Sequence, residues 1–79
     1  MGASSNIVHQ YFKKEWEGIK ILVKVNPIHW KGIEITVDEE GNAEGRELTF
    51  DPEIFEDLKA DGFTEASPLE FNLYAAGLA

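Results

Sequence analysis

The side chains of this chain best suited to chemistry are carboxylates, and the densest set lies between residues 53 and 61. Its members are Glu53, Glu56, Asp57 and Asp61. Residues three and four positions apart share one side of a helix, so a helix here aligns these charges. Such a row can bind a basic protein or imitate the phosphates of a nucleic acid. An ordinary solvated helix surface is the competing interpretation.

His29 and Trp30 form a second candidate for partner binding. They follow Asn26-Pro27 in a predicted connection between two strands. A titratable ring beside a large aromatic side chain is a combination that binding surfaces use. The alternative is that Trp30 folds back and covers the edge of the sheet. The other histidine, His9, has no spacing to carboxylates that indicates a metal or acid–base site.

The segment 38–45 combines carboxylates, Asn42 and glycines, and it was compared with a calcium-binding loop. An EF-hand loop that starts at Asp38 requires Gly at its sixth position and Glu at its twelfth. Those positions hold Ala43 and Thr49. The segment is therefore predicted to be a solvated acidic turn.

Several classes of chemistry have no residues to support them. The chain contains no cysteine, which excludes disulfides, zinc–thiolate sites and thiol catalysis. The sequence holds no serine-nucleophile motif, phosphate loop or dinucleotide fingerprint. We therefore predict no catalytic residues, no cofactor and no metal.

The helix that carries the acidic row has recognisable start and stop signals in the sequence. Asp51 can cap its first turn, and Pro52 fits the first helical position. Gly62 can adopt the left-handed conformation that ends a helix, with Leu58 and Phe63 as the apolar pair of a Schellman motif.

The remaining elements follow from hydrophobic periodicity. A helix is favoured at 7–17, with a strand at 7–12 as the alternative. The other predicted elements are strands at 19–25, 33–37, 46–50 and 69–74, and the capped helix at 52–61. The order α-β-β-β-α-β predicts an α+β fold, with a mainly antiparallel sheet of about four strands and two helices on one face.

The alternation of side chains along the strand predicted at 19–25 leads to a hypothesis about assembly. Ile21 and Val23 alternate toward the core, which places Lys20, Leu22 and Lys24 on the outer face. That face could meet the acidic surface of a second copy, so a homodimer is expected.

Length and charge further limit the domain organisation and the classes of partner that we expect. We expect one domain over 1–79, with 1–6 frayed or disordered and 75–79 a docked or disordered tail. The net charge is −8, and all of it falls within residues 40–79. Direct nucleic-acid binding is therefore disfavoured, because phosphate contacts need clustered Lys and Arg. No signal peptide or membrane span is legible, which predicts a cytoplasmic protein.

Together these features favour a small acidic protein-interaction or regulatory module without catalysis of its own. The first alternative is an acidic inhibitor that mimics nucleic acid and blocks a basic nucleic-acid-binding protein. The second alternative is a small enzyme or ligand-binding domain whose site has no recognisable motif.

Overall fold

Five strands and two helices make up the computed structural model, which describes residues 8–76. The strands are β1 (Gln10–Trp16), β2 (Ile19–Asn26), β3 (Lys31–Val37), β4 (Ala43–Thr49) and β5 (Thr64–Glu65); the helices are α1 (Ile54–Ala60) and α2 (Pro68–Ala76). Within this part of the chain, neither helix is long and apolar enough to cross a membrane. The predicted fraying of 1–6 lies outside the described residues, as do residues 77–79 of the tail predicted at 75–79; residues 75 and 76 belong to α2.

The strands form one antiparallel sheet in the order β4-β3-β2-β1-β5. Tight turns connect the first four strands, so each pairs with its neighbour in sequence. The short β5 pairs with β1 after the chain has passed through α1. The predicted α+β class with a mainly antiparallel sheet is confirmed, with five strands rather than four.

The two helices cover opposite faces of the sheet, and the prediction that both lie on one face is wrong. Adjacent residues of a strand point to opposite faces. Val23 packs with Leu58 of α1, whereas Leu22 packs with Phe71 of α2. Two clusters therefore form the core. The α1 side contains Phe12, Val23, Val25 and Leu58, and the α2 side contains Leu22, Ile35, Val37 and Phe71.

The prediction that Leu22 lies on an outer face of β2 is also wrong, because a helix packs on each face of the sheet. Leu22 is fully buried under α2. Lys20 donates a hydrogen bond to the Tyr74 hydroxyl of that helix at 3.2 Å. Two of the three residues on which the dimer hypothesis relied, Lys20 and Leu22, are thus engaged by α2 within the chain itself.

The segment predicted as a helix at 7–17 is strand β1. Tyr11 lies toward α2, 5.5 Å from the ring of Phe71, and Phe12 lies toward α1, 5.7 Å from the ring of Phe55. Because both faces are covered, apolar residues at consecutive positions each pack against a helix. The alternation expected of a one-sided strand is therefore missing.

The segment predicted as a strand at 69–74 is helix α2. The Ser67 hydroxyl accepts a hydrogen bond from the N–H of Glu70 at 3.1 Å, and Pro68 occupies the first helical position. Phe71 and Tyr74 face the sheet. The Ser-Pro-x-Glu start is a readable helix signal.

Helix α1 is confirmed, although it begins at Ile54 rather than at 52. Asp51 does not cap it directly; its carboxylate accepts from the N–H of Glu53 at 2.9 Å, in the turn that leads into the helix. The far end is the predicted Schellman motif. Gly62 donates to the Lys59 carbonyl at 3.1 Å and Phe63 to the Leu58 carbonyl at 2.9 Å.

Candidate protein-interaction surface

Helix α1 presents its carboxylates to solvent in a single group. Glu53, Glu56, Asp57 and Asp61 are all exposed, and we call them the acidic surface of α1. Their positions repeat every three to four residues along the helix and its two ends. None of them forms an ion pair with another residue of the described part of the chain.

Three carboxylates elsewhere in the fold, Glu15, Glu34 and Glu70, have basic partners. Glu34 accepts from Arg46 at 3.0 Å, and Glu70 lies 3.0 Å from Lys13 and 3.5 Å from Lys20. Lys13, Lys20 and Arg46 are thus engaged away from α1, whose own sequence contains only Lys59. The acidic surface of α1 is left with a local excess of negative charge.

The turn between β2 and β3 lies against α1 and contains the second predicted pair. The Asn26 side chain accepts from the N–H of Ile28 at 2.9 Å and of His29 at 3.1 Å, which fixes the turn. Trp30 has a φ of +57° and its ring lies 5.7 Å from Phe55 of α1. The half-buried Trp30 therefore serves as packing, while His29 points to solvent.

A shallow groove of about 250 Å³ runs where this turn meets α1. Its lining consists of Gln10, Phe12, Pro27, Phe55, Lys59 and Glu65. Ile28, 62% exposed, follows Pro27 in the same turn. A groove with Phe12, Pro27 and Phe55 in its lining thus lies beside α1. Sequence reasoning missed it because its members come together only once the contact between this turn and the helix is known.

A separate polar network attaches α2 to the opposite face of the sheet. A hydrogen bond from Lys13 lowers the pKa of the Glu70 carboxyl, and the charge of Lys20 acts in the same direction. The hydrogen bond with Tyr74 raises the pKa of Lys20. These four side chains join β1 and β2 to α2, so their role is structural.

The acidic turn between β3 and β4 organises its own backbone. The Asp38 carboxylate accepts from the N–H groups of Glu40 and Asn42, each at 2.9 Å. The hydrogen bond from the Asn42 backbone is the main cause that lowers the pKa of Asp38. Within residues 8–76, no group of three His, Asp or Glu side chains is placed to hold a metal ion.

A larger and open groove of about 500 Å³ lies on the α2 side of the sheet, at the end that α2 leaves uncovered. His9, Lys24, Lys31 and Glu47 line it together with backbone of β3 and β4. Its charges are mixed, and no one ligand chemistry follows from them.

Comparisons with protein-family models, with curated proteins and with solved structures found no match to this chain. Its function is therefore argued from its own surface.

Proposed function

We propose that this protein is a non-catalytic module that binds a basic protein partner through the acidic surface of α1. The observation that supports this is that four exposed carboxylates gather on α1 and its two ends without an ion pair among residues 8–76, whereas Glu34 and Glu70 are paired. A partner with Lys or Arg at matching positions relieves the repulsion among these charges. It also gains long-range attraction during encounter.

The groove beside α1 gives the same surface an apolar contact. Interfaces commonly combine a small apolar centre with a charged rim. Phe55 and Pro27 supply the apolar lining, and Ile28 offers an exposed aliphatic side chain at the edge. His29 belongs to the rim, and Trp30 acts indirectly by holding Phe55 in place.

Charge reversal tests this proposal with a matched control. The test variant is Glu53→Lys, Glu56→Lys and Asp57→Lys. The control reverses Glu17, Glu39 and Glu40, which are exposed in the β1–β2 and β3–β4 turns. Both variants change the net charge by the same amount, so only the position of the change differs.

The measurement is capture of partners by each immobilised protein from a lysate of the source cells, at low and at raised salt. We expect the wild type and the control to retain a basic protein that salt releases, and the α1 variant to lose it. Equal retention by both variants, or no salt-sensitive basic partner, contradicts the proposal.

A second candidate function is that of a nucleic-acid mimic. From Glu53 to Asp61 the four carboxylates span about 12 Å at the helical rise of about 1.5 Å per residue. One DNA strand places a phosphate about every 3.4 Å, so the charge densities are similar. If this function holds, the captured partner binds duplex DNA, and DNA displaces this protein from it. A partner that binds DNA and this protein simultaneously contradicts the mimic and leaves the protein-binding module intact.

A further inference from the structure

Among the described residues, no strand pairs with the outer edge of β4. Strand β4 is the terminal strand of the order β4-β3-β2-β1-β5, and it is seven residues long, whereas β5 at the other edge has only two. About half of its residues direct their N–H and C=O groups away from β3. Such an edge can accept another strand.

The charges of β4 favour one register for antiparallel pairing of two copies. In a two-fold symmetric antiparallel pair, residues directly opposite each other share a face. With Gly45 on the two-fold axis, Glu44 of each copy lies opposite Arg46 of the other. Moving the axis to Arg46 places that arginine opposite itself. Moving it to Glu44 places that glutamate opposite itself.

The neighbouring strand strengthens this register. Arg46 is directly opposite Glu34 of β3, and their side chains form an ion pair at 3.0 Å. In the Gly45-centred pair each arginine therefore lies between Glu34 of its own chain and Glu44 of the second copy. Cross-strand pairs of opposite charge stabilise a sheet, and like charges destabilise it.

Gly45 itself fits a point of close backbone approach. A glycine within a strand marks a bulge, a bend, or a place where another backbone comes near. The pairing of β3 with β4 is continuous from Lys31 opposite Thr49 to Val37 opposite Ala43, so there is no bulge. Gly45 is also absent from the glycines with positive φ. Gly45 therefore keeps regular strand pairing and places no side chain at the centre of the proposed pair.

We propose that two copies of this chain associate edge to edge through antiparallel pairing of β4, with Gly45 on the two-fold axis and reciprocal Glu44–Arg46 pairs. This surface is separate from the acidic surface of α1, so the proposal stands independently of the proposed function. The contact is short, and we expect a dissociation constant of about 10–100 µM.

Single charge changes and their mixture test the register. Sedimentation velocity is measured from about 1 to about 300 µM protein. Arg46→Glu and Glu44→Arg should each weaken self-association about tenfold, because both create like-charge pairs across the axis. Mixed in equal amounts, the two variants should form a heterodimer that regains most of the association, short of wild type because Arg46→Glu loses its pair with Glu34. Lys59→Glu, which lies outside β4, should leave self-association unchanged.

A cysteine cross-link gives an independent readout, since the chain has no native cysteine. Gly45→Cys should form an intermolecular disulfide, because residues opposite each other have Cα atoms about 4.5–5.5 Å apart. Thr49→Cys should not form it. A wild type that stays monomeric at about 300 µM overturns the proposal. A mixture of Arg46→Glu and Glu44→Arg that fails to restore association also overturns it, provided that circular dichroism shows both variants to be folded.

Discussion

Glu70 illustrates how one side chain connects distant parts of this sequence. It lies on α2, yet its carboxylate contacts Lys13 of β1 and Lys20 of β2. The three side chains are partly buried between the helix and the sheet. This polar contact therefore adds to the packing of Phe71 and Tyr74 in attaching α2 to the sheet.

We therefore expect Glu70→Gln to lower the free energy of unfolding by about 1 kcal/mol at pH 7, a value reduced by the partial exposure of Lys13. The pKa of the folded carboxyl lies below its ordinary value of 4.5. Its stabilisation is therefore complete above that pH and is lost as the pH falls through the lowered pKa.

Urea unfolding of wild type and Glu70→Gln at pH 7 and at about pH 3 measures this dependence. The difference between them should shrink at the lower pH. Glu56→Gln on α1 is the control, because Glu56 is exposed and without an ion pair among the described residues. A deficit of Glu70→Gln that is the same at both pH values contradicts the assignment.

At the level of elements, two glycines are required for different reasons. Gly62 ends α1 with a φ of +88°, and a Cβ there would meet only the Lys14 side chain at 3.9 Å. Gly32 of β3 has an ordinary φ, but a Cβ would overlap the carbonyl oxygen of Lys24 and approach Phe50 to 2.7 Å. One position is limited by conformation and the other by space.

The two alanine variants should separate these causes. Gly62→Ala should cost about 1 kcal/mol, which is the strain of a left-handed residue with a side chain. Gly32→Ala should cost more, about 2–4 kcal/mol, because backbone of β2 and β3 must move apart. Urea unfolding curves compare them directly. Equal losses, or a larger loss for Gly62→Ala, would show that the Lys24 carbonyl accommodates the added atom.

The elements that the sequence predicts well are those with chemically marked ends. Helix α1 has its terminating Gly62 and strand β2 has Pro27 after it, and both were placed within two residues. Strand β1 was given only as the alternative at 7–12, because Tyr11 and Phe12 pack on opposite faces, which imitates helical spacing. The capping pattern of Ser67 at the start of α2 was readable, but the alternation at 69–74 outweighed it.

Part of the candidate site was predictable from the sequence because it depends only on local spacing. Helical spacing alone placed the acidic surface of α1, because neighbours three and four residues apart need no tertiary information. The pairing of Trp30 with Phe55 and the groove beside it depend on which turn lies over which helix. The second face of the sheet, with Leu22 beneath α2, depends likewise on long-range packing that no local pattern encodes.

The dimensions of the whole molecule determine how its net charge acts. The fold has a radius of gyration of 12.9 Å and extends 43 × 30 × 19 Å. At about 0.01 M salt the screening length is about 30 Å, so most of the charges in the fold interact; at about 0.1 M it is about 10 Å. A net charge of −8 therefore opposes the compact state most strongly at low salt.

We expect the urea midpoint of the wild type to rise as sodium chloride increases from about 10 to about 200 mM, because relief of overall repulsion outweighs weakening of the few surface ion pairs. The Glu53, Glu56 and Asp57 reversal and the Glu17, Glu39 and Glu40 reversal each remove most of the net charge. Both should therefore flatten this response to the same degree, although only the first should abolish partner binding. A salt response that disappears in the α1 variant alone would mean that the repulsion is confined to α1. The exposed carboxylates of that helix would then limit stability as well as form the proposed binding surface.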